Sequence, residues 1–253
     1  MLNPRPTSLT SNMPDDQQTN GARTATWTLA PPQSPTSPCQ ADTERWHLVS
    51  PDRAEAVFLD GNPLSAHGVG VPSQIATPAL IVRSGRIEPE PDEDGLIDET
   101  DRLDAARRTW SGEGRQRFDA AWADLSAYAG ERGVDLWVHP IAGDVLGDIP
   151  AIRALAQGDL KMGVFLEPAA LITRSMVAEA EDHFVRMLDP LLSASVSPIR
   201  AIAITNTAGS DLERTRVPIG EGDIDPAVLT AFAAKFAEIA PICVLPEDAG
   251  LLG

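Results

Sequence analysis

Two hydrophobic rhythms alternate along the chain from Gln116 onward. In "RQRFDAAWADLSAYAGERG" Phe118, Trp122, Leu125 and Ala129 recur every three or four positions, the spacing of an amphipathic helix that Gly130 or Gly133 would end. "VDLWVHP" follows as a short unbroken apolar run and predicts a strand. The alternation then continues with a short helix in "DIPAIRALAQGD" and a strand in "KMGVFLEP", and with a longer helix in "SMVAEAEDHFVRMLDPLL" and a strand in "IRAIAITN". A helix in "PAVLTAFAAKFAEIA" and a strand in "ICVLPED" complete it. Strands of continuous apolar character must be covered on both faces, so their alternation with helices predicts a parallel sheet, as in β/α barrels and doubly wound folds.

The first half is patterned differently. "TATWTLA", "RWHLV", "EAVFLD" and "PALIVRSG" are short apolar runs with β-formers, and no clear crossover helices separate them. Residues 1–22 and "APPQSPTSPCQADTE" are rich in Pro, Ser, Thr, Gln and Asn, with too little apolar surface to repay ordering. Residues 1–22 are therefore expected to be a flexible, disordered tail, and residues 23–253 one barrel domain. "EPEPDEDGLIDETDRLD", at 88–104, concentrates acids and prolines without the regular spacing of a cation-binding loop, and predicts an exposed loop leading into a helix.

Charge narrows the partners. With 37 Asp and Glu against 20 Lys and Arg, the formal net charge is −17, which repels nucleic-acid backbones and anionic membranes over most of the surface. Neither a nucleic acid nor a membrane is an expected partner. The two cysteines, Cys39 and Cys243, form no redox or metal motif, and no apolar run approaches the ~18 residues that span a bilayer. A cytoplasmic location is the expectation. No Gly-x-Gly-x-x-Gly follows a strand, and neither a phosphate loop nor a Gly-x-Ser-x-Gly elbow is present.

In a β/α barrel the strand ends converge on one face. Reading the residues just after each strand together gives a polar ring: His139, Glu167, Thr205 and Asn206, Glu221 and Asp223, and Glu247. Glu167, before Pro168, reads either as a functional carboxylate in the barrel mouth or as half of an ion pair with Arg174 or another base. Trp137 reads as a face for stacking on a sugar or as a plug. The segment "RVPIGEGDID" places two glycines and three acids between a strand and a helix; Asp223 or Asp225 is positioned to cap the helix that Pro226 opens.

This order of motifs resembles the xylose-isomerase-like barrel family of sugar isomerases and epimerases. The resemblance covers roughly the C-terminal half and is most specific at "VPIGEGDID", where the family carries Pro-x-Gly-x-Gly-Asp-x-Asp before a helix. It implies a TIM-type β/α barrel and a divalent metal (Mn, Mg or Zn) held by Glu, Asp and His side chains at the strand ends. Those positions are altered here: Trp137 stands at a Glu position, Glu167 at an Asp position, Ala170 at a His position, and Ala201-Ile202-Ala203 at His-x-His. The resemblance therefore implies a metal site that is altered or lost, so no residue is assigned as a metal ligand. It further implies a sugar or sugar derivative as ligand, with proton transfer beside its carbonyl. Glu167 or Glu247 would be acid and base, His139 would orient substrate, and Trp137, Asn206, Glu221 and Asp223 would contact it. A pseudoenzyme binding a carbohydrate-like ligand or a protein partner is the alternative. The weak helical pattern of the first half leaves an abbreviated barrel, either open or completed by a partner subunit in a homo-oligomer.

Overall fold

The computed structural model describes residues 26–30, 47–49 and 54–248, the last span with gaps at 60, 67, 72–77, 93, 149, 152–153, 155–161, 193–197, 211–213, 238–239 and 241. The expected tail at 1–22 lies outside the described residues, as does most of the short helix expected in "DIPAIRALAQGD". Eight strands close into a ring: β1 (Thr26–Ala30), β2 (His47–Val49), β3 (Ala54–Leu59), β4 (Ala79–Arg83), β5 (Asp135–His139), β6 (Gly163–Leu166), β7 (Ile199–Ile204) and β10 (Ile242–Val244). A separate antiparallel hairpin, β8 (Asn206–Ala208) with β9 (Thr215–Val217), stands above the end of β7. The described helices are α1 (Glu99–Thr109), α2 (Gly112–Glu131), α3 (Ala180–Leu192) and α4 (Pro226–Phe236).

The result is a TIM-type barrel, covered among the described residues by these four helices. Around the ring every neighbouring pair is parallel except those of β2, which runs antiparallel to both β1 and β3. Only residues 50–53 join β2 to β3, and a parallel crossover takes a dozen residues or more, so the chain must reverse. Closure comes from within the chain, because β1 pairs with β10 on one side and β2 on the other. Completion by a partner subunit is not needed for the ring.

Side-chain alternation divides the strand residues into an inner layer and two outer clusters, the smaller outer one made by Val57, Leu59, Leu80 and Val82. Ala56, Phe58, Ala79, Ile81, Trp137, Phe165, Ala201, Ala203, Cys243 and Leu245 form one buried cluster, which fills the ring. Their neighbours Val138, Val164, Leu166, Ile202, Ile204 and Val244 face outward into a larger core with Phe118, Phe184, Phe232 and Phe236 from the covering helices. Trp137 supplies much of the filling: a Cβ on Gly163, its partner on β6, would lie 2.6 Å from the indole Cδ1. Small residues on β6 and β7 make room for one large ring.

Candidate functional site

The alternation that sends Trp137, Phe165 and Ala203 into the ring also sends His139, Glu167 and Thr205, two residues on, to its C-terminal mouth. Glu167 is 3% exposed. Arg216, from β9, approaches it side-on: Nε donates to Oε1 and Nη2 to Oε2, each at 2.6 Å. Thr205 Oγ1 donates to Oε1 at 2.6 Å. His139 Nε2 stands 3.0 Å from Oε2 but outside hydrogen-bond geometry, so it is a buried nitrogen in close contact with a carboxylate and without a hydrogen-bond partner. Phe58 and Phe165 meet the imidazole edge-on, with centroids 5.6 and 5.3 Å away, and hold its plane.

Burial by itself pushes the Glu167 carboxyl up. The Arg216 charge and its two hydrogen bonds, aided by His139, overcome that and hold it well below the usual carboxylate range. Glu167 is thus a fixed anion that aims Arg216. The ion pair foreseen for it exists, with Arg216 as the base.

A cavity of about 440 Å³ opens over this cluster. Arg83, Arg86, Arg214 and Arg216 line it with His139, and among the described residues Glu167 is the one carboxylate of its lining. Arg83 is held by Asp144, whose buried carboxylate accepts from Nε at 3.0 Å, Nη2 at 2.5 Å and the Gly85 N–H at 2.9 Å. Arg214 donates from Nε to Thr207 Oγ1 at 2.9 Å, with Asp223 4.0 Å from Nη2. Such a mouth attracts anions although the whole chain is strongly acidic. Its donor set does not suit a divalent ion: both Glu167 oxygens are engaged by Arg216, and guanidinium groups crowd the same space. Among the described residues no three of His, Cys, Asp or Glu gather closely enough to hold one.

The other expected residues scatter. Trp137 lies a layer below the mouth, 8% exposed within the ring's packing, which is the plug and not the stacking face. Asn206 lines the cavity but serves mainly as a staple: Nδ2 donates to the carbonyls of Ile219 and Ile224 at 2.8 and 2.7 Å, and Oδ1 accepts from Thr207 and Ile224 N–H. Glu221 and Glu247 are exposed and do not line the cavity. Asp223 is turned toward Arg214 at its edge. Asp225 caps α4, accepting from Ala227 N–H at 2.8 Å.

The segment "RVPIGEGDID" therefore works as a bracket. Its Arg216 enters the mouth, its backbone is stapled by Asn206, and Ile219 N–H is held by the buried Asp248 at 3.0 Å. Sequence reasoning missed Arg83, Arg86, Trp110, Arg214 and Arg216. Arg83 ends the strand in "PALIVRSG" and Arg216 opens the quoted segment, so the strand-end logic that found His139 reaches both. Arg86, Trp110 and Arg214 come from loops and corners that carry no such signal.

No protein-family model and no curated protein matches the chain. Among solved structures it is similar to mannonate dehydratase from Streptococcus suis serotype 2, with a TM-score of 0.37 and 11% identity, over 67% of this chain and 57% of that one. It is also similar to a xylose isomerase-like TIM barrel protein from Mycobacterium smegmatis in complex with magnesium, with a TM-score of 0.35 and 15% identity, over 67% of this chain and 54% of that one. The chain thus matches little more than half the length of either. Described helices of this chain include none long and apolar enough to cross a membrane.

Proposed function

We propose that this is a divergent sugar isomerase- or epimerase-like barrel that binds a sugar derivative in its mouth and moves a proton beside the carbonyl, without a metal ion. One observation carries the reading: the buried Glu167 carboxylate aims Arg216 into the cavity, and His139 stands beside that carboxylate on the same cavity wall. Proton abstraction next to a carbonyl develops negative charge on the oxygen, and a preorganised cation facing that oxygen lowers the barrier. Arg216 supplies such a cation, since guanidinium stays charged throughout the working pH range. Imidazole is the side chain best suited to take and return a proton near neutrality, which makes His139 the base. Glu167, locked as an anion, acts as a positioning residue and not as the acid.

That same lock favours a second reading, binding without turnover, because the carboxylate expected to carry protons is committed to Arg216. Solvent exchange separates the two. Metal-stripped protein in D2O with a panel of ketoses and sugar acids should introduce deuterium beside the carbonyl, and His139→Asn should abolish this while keeping binding. Binding with no exchange leaves the non-catalytic reading. Exchange that appears only with added Mn, Mg or Zn overturns the metal-free mechanism.

A further inference from the structure

One wall of the mouth is built by segments that the Glu167 cluster does not use. Gly85 turns the chain after β4 at φ +80°, a conformation suited to glycine, and a Cβ there would meet Pro63, Asn62 and Leu64 at 2.7–2.8 Å. The next residue is Arg86. Its backbone is gripped from both sides by the buried Asn62 side chain, which donates from Nδ2 to the Arg86 carbonyl at 2.7 Å and accepts the Arg86 N–H on Oδ1 at 3.1 Å. Ile87 N–H is then held by the buried Thr109 hydroxyl at 2.9 Å, which ties the wall to the end of α1. Trp110 follows directly. It is 64% exposed, yet its Nε1 is fastened to the Asp144 carbonyl at 3.3 Å, so the indole is fixed on the rim of the cavity.

Buried polar groups are thus spent on presenting two exposed side chains. Three of the four mouth arginines have a carboxylate within 4.0 Å: Arg83 with Asp144, Arg214 with Asp223, Arg216 with Glu167. Among the described residues Arg86 has none. A guanidinium with no carboxylate among its described neighbours offers its planar fork to an oxyanion, which it grips in two-pronged fashion. A large exposed aromatic ring held in place suits the face of a ring-shaped ligand.

From these observations we infer that Arg86 and Trp110 form a separate subsite for an anionic ring compound: Arg86 takes its carboxylate or phosphate, and Trp110 stacks on the ring. The inference rests on the sugar-binding reading of the mouth and adds the anionic class. Calorimetric titrations at low salt of glucose, glucuronate, glucose 6-phosphate and inorganic phosphate test it, against wild type, Arg86→Ala, Arg86→Lys and Trp110→Ala. One or both anionic sugars should bind at least roughly tenfold tighter than glucose, the advantage expected of a charged hydrogen-bonded contact, and which of them does so names the anion. Arg86→Ala should erase that advantage with glucose affinity unchanged, and Arg86→Lys should restore part of it. Trp110→Ala should weaken every sugar and leave inorganic phosphate unaffected. Equal affinity for glucose and both anionic sugars, or an anion preference that survives Arg86→Ala, overturns the subsite. Arg86-dependent phosphate binding with no sugar binding sustains the anion contact and overturns the sugar reading instead.

Discussion

At the scale of single residues, the mouth depends on how one buried carboxylate is kept charged. Glu167 is ionised because Arg216 outweighs the cost of its burial, and removing either partner leaves the other's charge poorly compensated. A folded-state value held below the unfolded one stabilises the protein above the unfolded carboxylate range, near ~4.3 for Glu, and that contribution is lost as pH falls from there through the folded value. Glu167→Gln should therefore be less stable than wild type at pH 7, by about 3 kcal/mol or more. Urea titrations at stepped pH should show the gap narrowing below about pH 4.3. A gap that stays constant down to pH 3 would show that Glu167 is not held as an anion in this way.

At the scale of elements, the bracket from Arg216 to Asp225 explains why glycines sit in it. Neither Gly220 nor Gly222 has a positive φ; Gly222 is extended at φ −107° and ψ −172°, which any residue adopts. What calls for glycine at position 222 is close approach and not backbone strain. A Cβ on Gly222 would press into Asn206, coming within 2.7 Å of its Cβ, and Asn206 cannot swing away because its amide holds Ile219, Ile224 and Thr207. A Cβ on Gly220 meets open space. Gly222→Val should accordingly lower stability by about 1–3 kcal/mol through overpacking and loosened hydrogen bonds, with Gly220→Val much milder. Thermal melts of the two variants side by side check this, and equal melting temperatures would refute the close-approach account.

At the scale of the molecule, the ring closes through its first strand. β1 is the strand between β10 and β2, and its loss would leave two open sheet edges. Deleting residues 1–30 should lower the denaturation midpoint and produce concentration-dependent association visible by light scattering. A monomer with the wild-type midpoint would mean that the ring does not rely on β1. Electrostatics also separates whole from part: a chain of net charge −17 carries a mouth whose described lining holds four arginines and one glutamate. Net charge describes the average surface, whereas a ligand meets the field inside the cleft.

The sequence by itself determined the eight strands of the ring, the alternation of strands with the described helices of the second half, and the convergence of His139, Glu167 and Thr205; the β8–β9 hairpin, with Arg216 on a segment read as a loop, was not legible in it. Each of the legible features follows from periodicity, because alternate residues of a parallel strand take opposite faces and strand ends share one rim. The sequence likewise determined the Pro226 start of α4 and narrowed its cap to Asp223 or Asp225, which is local chemistry; the structure chose Asp225. Only the tertiary structure decided that Trp137 packs below the mouth and not in it, that Arg216 takes Glu167, and that Arg83, Arg86, Trp110 and Arg214 share one cavity. These pairings join residues such as Glu167 and Arg216, or Asn62 and Arg86, that are 49 and 24 positions apart. No local pattern encodes such contacts, since they exist only once the closed ring brings separate loops to one rim.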